Sequence, residues 1–136
     1  MGRNTFFFLS TLLILSACKP KSAFEVNDDM INNVPDSVLA VENMVLVMTD
    51  IHLAEALVQE NKTDTIPQDI RLKEHYAYIF KLHNIDSKKY NSSYNYYSQN
   101  PVLMNHIYTK VVEQLNVLES KNLKVKKKIS DEQSSK

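Results

Sequence analysis

Four stretches of this chain repeat apolar residues at helical spacing, and polar or proline-bearing segments separate them. In the first, about Ser37 to Asn61, a turn of roughly 100° per residue puts Val41, Met44, Val47, Met48, Ile51 and Val58 on one side. Leu46, Leu53 and Leu57 form a second stripe, so this helix is expected to pack against more than one neighbour and to be central. Pro35 or Asp36 stands at its start, where proline in the first turn and acidic groups near the dipole are favoured. Asn61 to Thr65 (NKTDT) breaks the pattern.

The second helix is predicted over about Pro67–His83, with Leu72, Tyr76, Ile79, Phe80 and His83 at i, i+4, i+7, i+8 and i+11. Asn84-Ile85-Asp86 ends it, and Asp86 or Ser87 can cap a third helix. There Tyr90, Tyr94 and Tyr97 share a face with Ser93, while Tyr96 is expected to be the exposed tyrosine. Asn100-Pro101 punctuates again, with Pro101 suited to a first helical position. In the fourth helix Met104, Tyr108, Val111, Leu115 and Leu118 are spaced 4-3-4-3, a heptad-like seam. After Lys121 the composition turns charged, and residues 122–136 are expected to be a disordered tail that buries nothing.

Composition narrows the class. The only glycine is Gly2. A chain without further glycine has no Gly-rich phosphate cradle, no dinucleotide fingerprint and no nucleophile elbow. Tight hairpin turns lose their favoured residue as well. The expected fold is therefore all-α, a single small domain of three to four helices over residues 36–121. Lys and Arg total 16 against 16 Asp and Glu, so no global field points to nucleic acid.

The N-terminal stretch fixes an expected location. Arg3 precedes an apolar run of ten residues, Phe6 to Leu15. That is too short to span a hydrocarbon core of about 30 Å, which needs roughly 20 apolar residues. It has the size and flanks of a secretory signal over residues 1–17. Leu15-Ser16-Ala17-Cys18 closes the run and resembles the lipobox of bacterial lipoproteins, in which the cysteine is acylated and becomes the first mature residue. Cys18 is the only cysteine, so an acylated chain forms no intrachain disulfide. Residues 18–35, polar and without sustained period, read as a flexible tether reaching roughly 20–25 Å. Lys19-Pro20-Lys21-Ser22 carries neither the acidic run of surface-exported lipoproteins nor the aspartate of inner-membrane retention. The expected site is the outer membrane, facing the periplasm.

Few residues offer chemistry. His52 and Glu55, three apart, are neighbours on a helix. They could serve as a metal pair or an acid–base pair. Two ligands are too few for zinc, and a third would have to come from His75, His83 or His106. The simpler reading is a histidine–carboxylate hydrogen bond that orients the first helix, with no metal, no cofactor and no catalytic residue. Asp50 points away from both, as a surface group or a cap. All seven tyrosines fall between Tyr76 and Tyr108 and read as core-edge residues. Lys124, Lys126, Lys127 and Lys128 read as a solvated cluster, or as a contact for anionic lipid.

Asp50-Ile-His-Leu-Ala-Glu-Ala56, Tyr97-Ser-Gln-Asn-Pro101 and Ile107-Tyr108 before Val111 carry a resemblance. Over roughly Val34–Leu118 the chain resembles a Bacteroidetes-type family of small lipoproteins defined only as a domain of unknown function. The resemblance implies a helical envelope lipoprotein and brings no assigned activity. The reading that results is a lipid-anchored envelope protein acting through an envelope protein partner or self-association. Its alternatives are a small envelope enzyme or metal-binding protein using His52 and Glu55, or a chaperone-like helper with a Tyr- and Met-lined groove.

Overall fold

Leu39 decides where the central helix begins. Its N–H donates to Ser93 Oγ at 2.8 Å, and its carbonyl accepts from the Tyr97 hydroxyl at 2.6 Å. Side chains hold both of its backbone groups, and Ala40 beyond it lies outside the helical region, with ψ of 154°. The helix therefore starts at Val41, later than the expected Ser37. The computed structural model describes residues 26–61 and 65–134, without the side chains of 131, 132 and 134. Over these residues the chain is all-α: α1 (Asp28–Asn32), α2 (Val41–Glu60), α3 (Gln68–Leu82), α4 (Ser87–Ser98) and α5 (Pro101–Ser134). The apolar N-terminal run, Cys18 and the tether up to residue 25 lie outside the described residues.

α2 is the centre of the packing, between α3 and α5. Met44, Val47, Met48 and Ile51 are buried along it, with Val41 and Val58 near its ends, as the first stripe requires. Fully burying side chains of this size contributes about 1.5–3 kcal/mol each. Tyr97 of α4 and Leu103, Ile107 and Val111 of α5 complete the core. Thr49 is buried where α2 meets α5. Its Oγ1 lies 2.8 Å from Val45 O and 3.1 Å from Gln114 Oε1, so its one proton is shared between the two helices.

The helix ends are built without glycine. α3 terminates at His83, and Asn84 follows with φ of 53°. Ile85 N–H then reaches Phe80 O at 2.9 Å and Asn84 N–H reaches Lys81 O at 3.2 Å. Asparagine tolerates this left-handed position better than most residues and here closes the turn that glycine usually closes. Asp86 caps α4 by accepting from Lys89 N–H at 2.6 Å. α5 starts at Pro101, the first helical position expected for it.

Four expectations change. Residues 26–34, read as tether, form α1 and lay Val26, Met30, Ile31 and Val34 against the core. One helical turn is too short to show a period, so the pattern passed unseen. The chain past Lys121, read as disordered, stays helical to Ser134. It contains no Gly or Pro to stop propagation, and adding a residue to a formed helix is far easier than starting one. The face α5 buries is Leu103, Ile107 and Val111; Tyr108 and Leu118 of the expected seam are exposed. The two stripes overlap at Val111, and the packing of α5 against α2 buries the one that holds Leu103 and Ile107. Finally, Tyr96 is half-buried with its ring edge-on to Tyr97, centroids 5.3 Å apart, and Tyr78 is the most exposed of the tyrosines.

The Leu39 clasp yields a stability prediction. Ser93→Ala strands a buried N–H and Tyr97→Phe strands a buried carbonyl, each costing about 1–3 kcal/mol. Urea unfolding of the double variant should show less than the sum of the two, because both side chains fix the backbone of one residue. Full additivity would mean that the two bonds act separately.

Candidate functional site

One polar constellation between the helices centres on Glu55. His52 lies one turn before it on α2, and His52 Nδ1 stands 3.3 Å from Glu55 Oε2. α3 brings the Tyr76 hydroxyl to the other carboxylate oxygen, Oε1, at 2.5 Å. From α5 the Tyr108 ring stands 6.2 Å from the His52 ring, and the Tyr108 hydroxyl is hydrogen-bonded with that of Tyr94 on α4. Tilted ring pairs run Tyr76–Phe80, Phe80–Tyr90 and Tyr90–Tyr94 at 6.3, 5.4 and 6.2 Å. Four helices thus meet around one carboxylate and a line of phenols.

The phenols are held neutral. Burial pushes the Tyr76 hydroxyl up to about 12, and its bond to Glu55 and that group's charge push the same way. Burial likewise raises Tyr90 to about 12, with Tyr94, Tyr76, Tyr108 and Glu55 adding to it. Tyr97, in the core, is also raised to about 12, chiefly by burial. The hydrogen bond with Tyr94 raises Tyr108 first, and burial second. Proton donors of this kind orient a carboxylate; they supply no nucleophile at neutral pH.

The structure brings together His52 and Glu55 as expected and adds Tyr76, which spacing within one helix could not reveal. Among the described residues no group of three or more His, Cys, Asp or Glu could hold a metal ion. His83 engages Asp50 instead, Nε2 to Oδ2 at 2.7 Å, so Asp50 clamps α2 to the end of α3 and is not a loop cap. His75 is exposed, and His106 lines a hollow with Val41 and Lys110.

A second feature lies on the side of α2 that no helix covers among the described residues. The stripe expected to meet another neighbour is open: Leu46, Leu53 and Leu57 are 44, 39 and 52 % exposed. Beside it a groove of about 490 Å³ runs between α2 and α5, with Leu46 and Thr49 on one wall and Gln114, Val117 and Leu118 on the other. Asp50, Glu113 and Lys121 form its charged rim. Among the described residues no helix is long and apolar enough to cross a membrane.

These features define a small helical domain with an open apolar face and a structural carboxylate network. The chain belongs to the family described as a domain of unknown function, DUF4296, whose model matches residues 35–121. The match takes in the Leu39 clasp and the Glu55 network, and it stops within α5. No curated protein and no solved structure is similar to the chain.

Two predictions follow the network. Glu55→Ala should lower stability by about 1 kcal/mol, since it leaves the half-buried Tyr76 hydroxyl without its acceptor. His52→Gln, at a partly exposed pair, should cost under about 0.5 kcal/mol. The reverse order in thermal unfolding would place the weight on the histidine. Separately, the raised phenols stabilise the fold fully below pH 10, and that contribution is lost as pH rises through about 12. Ultraviolet titration should show Tyr76, Tyr90 and Tyr97 ionising late and together with loss of helicity; early ionisation with helicity intact would contradict it.

Proposed function

We propose that this protein is a lipid-anchored component of the cell envelope that works by protein contact through the open face of α2 and α5. The observation that carries this reading is the exposed stripe of Leu46, Leu53 and Leu57 beside the α2–α5 groove. Contiguous apolar surface rimmed by polar groups marks interaction sites. Leucines at i, i+7 and i+11 on one face suit a helix or a flat apolar patch better than a small molecule.

The anchor is supported by Leu15-Ser16-Ala17-Cys18 at the end of the apolar run. Acyl chains on Cys18, at about 0.8 kcal/mol per buried methylene, would hold the domain at the outer membrane on its periplasmic side. Enzymatic use of His52 and Glu55 has less support, because both carboxylate oxygens are already engaged within the fold.

Crosslinking in the native envelope tests the contact. A photo-reactive group at Leu53 should give one defined protein adduct, and Leu46→Glu with Leu57→Glu should remove it without changing helicity or the melting transition. An adduct indifferent to those charges would refute the face. Cys18→Ala should abolish acylation and detergent-phase partitioning; an unchanged membrane fraction would refute the anchor.

A further inference from the structure

α5 runs on beyond the helices that pack against it, and its pattern continues with it. From Met104, alternating spacings of four and three give Tyr108, Val111, Leu115, Leu118, Asn122, Val125 and Ile129. This is the two-position apolar repeat of a coiled-coil heptad, kept over more than three heptads with one polar member, Asn122, in its C-terminal half. In the N-terminal half Val111 is buried and Met104 and Leu115 lie against the core, while Tyr108 is at the edge, 38 % exposed. The C-terminal half does not pack in this way. Leu118, Val125 and Ile129 are 37, 56 and 50 % exposed, and Asn122 is exposed with them. From Leu118 to Ser134 the projecting helix is about 25 Å long at 1.5 Å per residue.

We propose that the projecting part of α5 is one strand of a heterotypic coiled coil, and that its partner is an amphipathic helix with acidic flanks. The proposal rests on the reading of the protein as an interaction module and names the chemistry of one partner. Three observations select that occupant. The heptad spacing calls for a helix, and an asparagine at a seam position sets register against a matching polar residue. A membrane surface would gain nothing from Asn122 at the middle of the apolar stripe.

The flanks choose the charge. Lys121 and Lys128 lie on one edge of the seam, with Lys126 on the other beside Glu119. A second copy laid in parallel would bring Lys121 of one chain against Lys126 of the other, a like-charge pairing that works against self-association. Glutamates in those places would pair with all three lysines. The stripe also continues directly from the face that packs inside the domain. The domain therefore holds this strand helical beforehand, which lowers the ordering cost of binding.

The test uses the full chain in detergent solution and a fluorescent synthetic helix of three heptads. The helix carries Leu and Val on its seam, one Asn to face Asn122, and Glu on both flanks. Polarisation should show it binding at least roughly tenfold tighter than the same peptide with Lys on the flanks, a gap that narrows as salt rises. Reversing Lys121, Lys126 and Lys128 to Glu should switch the preference to the Lys peptide. Val125→Asp with Ile129→Asp should abolish binding of either. Equal binding of both peptides, or of neither, overturns the proposal. So does self-association of the full chain that the Val125 and Ile129 substitutions remove, which would make a second copy the occupant. Stronger attachment of wild type than of that variant to phosphatidylglycerol vesicles, without peptide binding, would assign the stripe to a membrane. Leu46→Glu with Leu57→Glu should leave peptide binding intact, so failure here is separable from failure of the α2 face.

Discussion

The backbone of Leu39 is the constraint on which the rest of the fold depends. Its two polar groups are buried and must be satisfied, and only α4 is placed to satisfy them. Ser93 does so while its own hydroxyl proton goes back to Lys89 O at 2.7 Å, and Lys89 Nζ holds Asp36 O at 2.8 Å. Three contacts therefore tie residues 36–39 to one side of α4. That tie fixes the first residue of α2, the placement of Tyr97 in the core, and the side of α2 that α4 closes.

Once α4 is fixed there, the remaining sides of α2 are shared out. α5 takes the Met48 and Thr49 side, and α3 takes the side clamped by Asp50–His83 at one level and Glu55–Tyr76 at another. Both clamps join a carboxylate on α2 to a ring on α3, so α3 is fixed in register as well as in distance. What is left over is the line of Leu46, Leu53 and Leu57. That apolar line, left open on the most buried helix, is the reason the α2 face is proposed as a contact surface. Tyr76 and Tyr90, by contrast, are partly buried near Glu55, where burial and that carboxylate's charge keep them protonated.

α5 follows a different rule. Its first half is held by packing; its second half is helical because nothing in the sequence interrupts a helix already begun. A helix that extends past its own core keeps presenting the same stripe, so the surface that is core near Val111 becomes available surface near Val125. The break between the two regimes falls near Leu118, beside the groove that α5 forms with α2. The two candidate contact surfaces are thus neighbours, one lateral on α2 and one axial on α5.

Local rules were readable in the sequence because they act over a few residues. The scarcity of glycine pointed to an all-α chain, the period of Val41 to Val58 gave the buried face of α2, and Asp86 and Pro101 marked the starts of α4 and α5. His52 and Glu55 were legible as a pair because three residues of helix bring them together whatever surrounds them. Tertiary structure decided everything that needed two elements to meet. Glu55 found Tyr76 and Asp50 found His83 across 21 and 33 residues, separations that no period encodes. α2 began at Val41, just after Leu39 bonded to α4, and packing against α2 set Leu103 and Ile107 as the buried face of α5. Apolarity told that Leu46, Leu53 and Leu57 want cover, but only the packing of the other helices determined that they remain open. Propensity and period belong to a segment; burial belongs to the arrangement of segments.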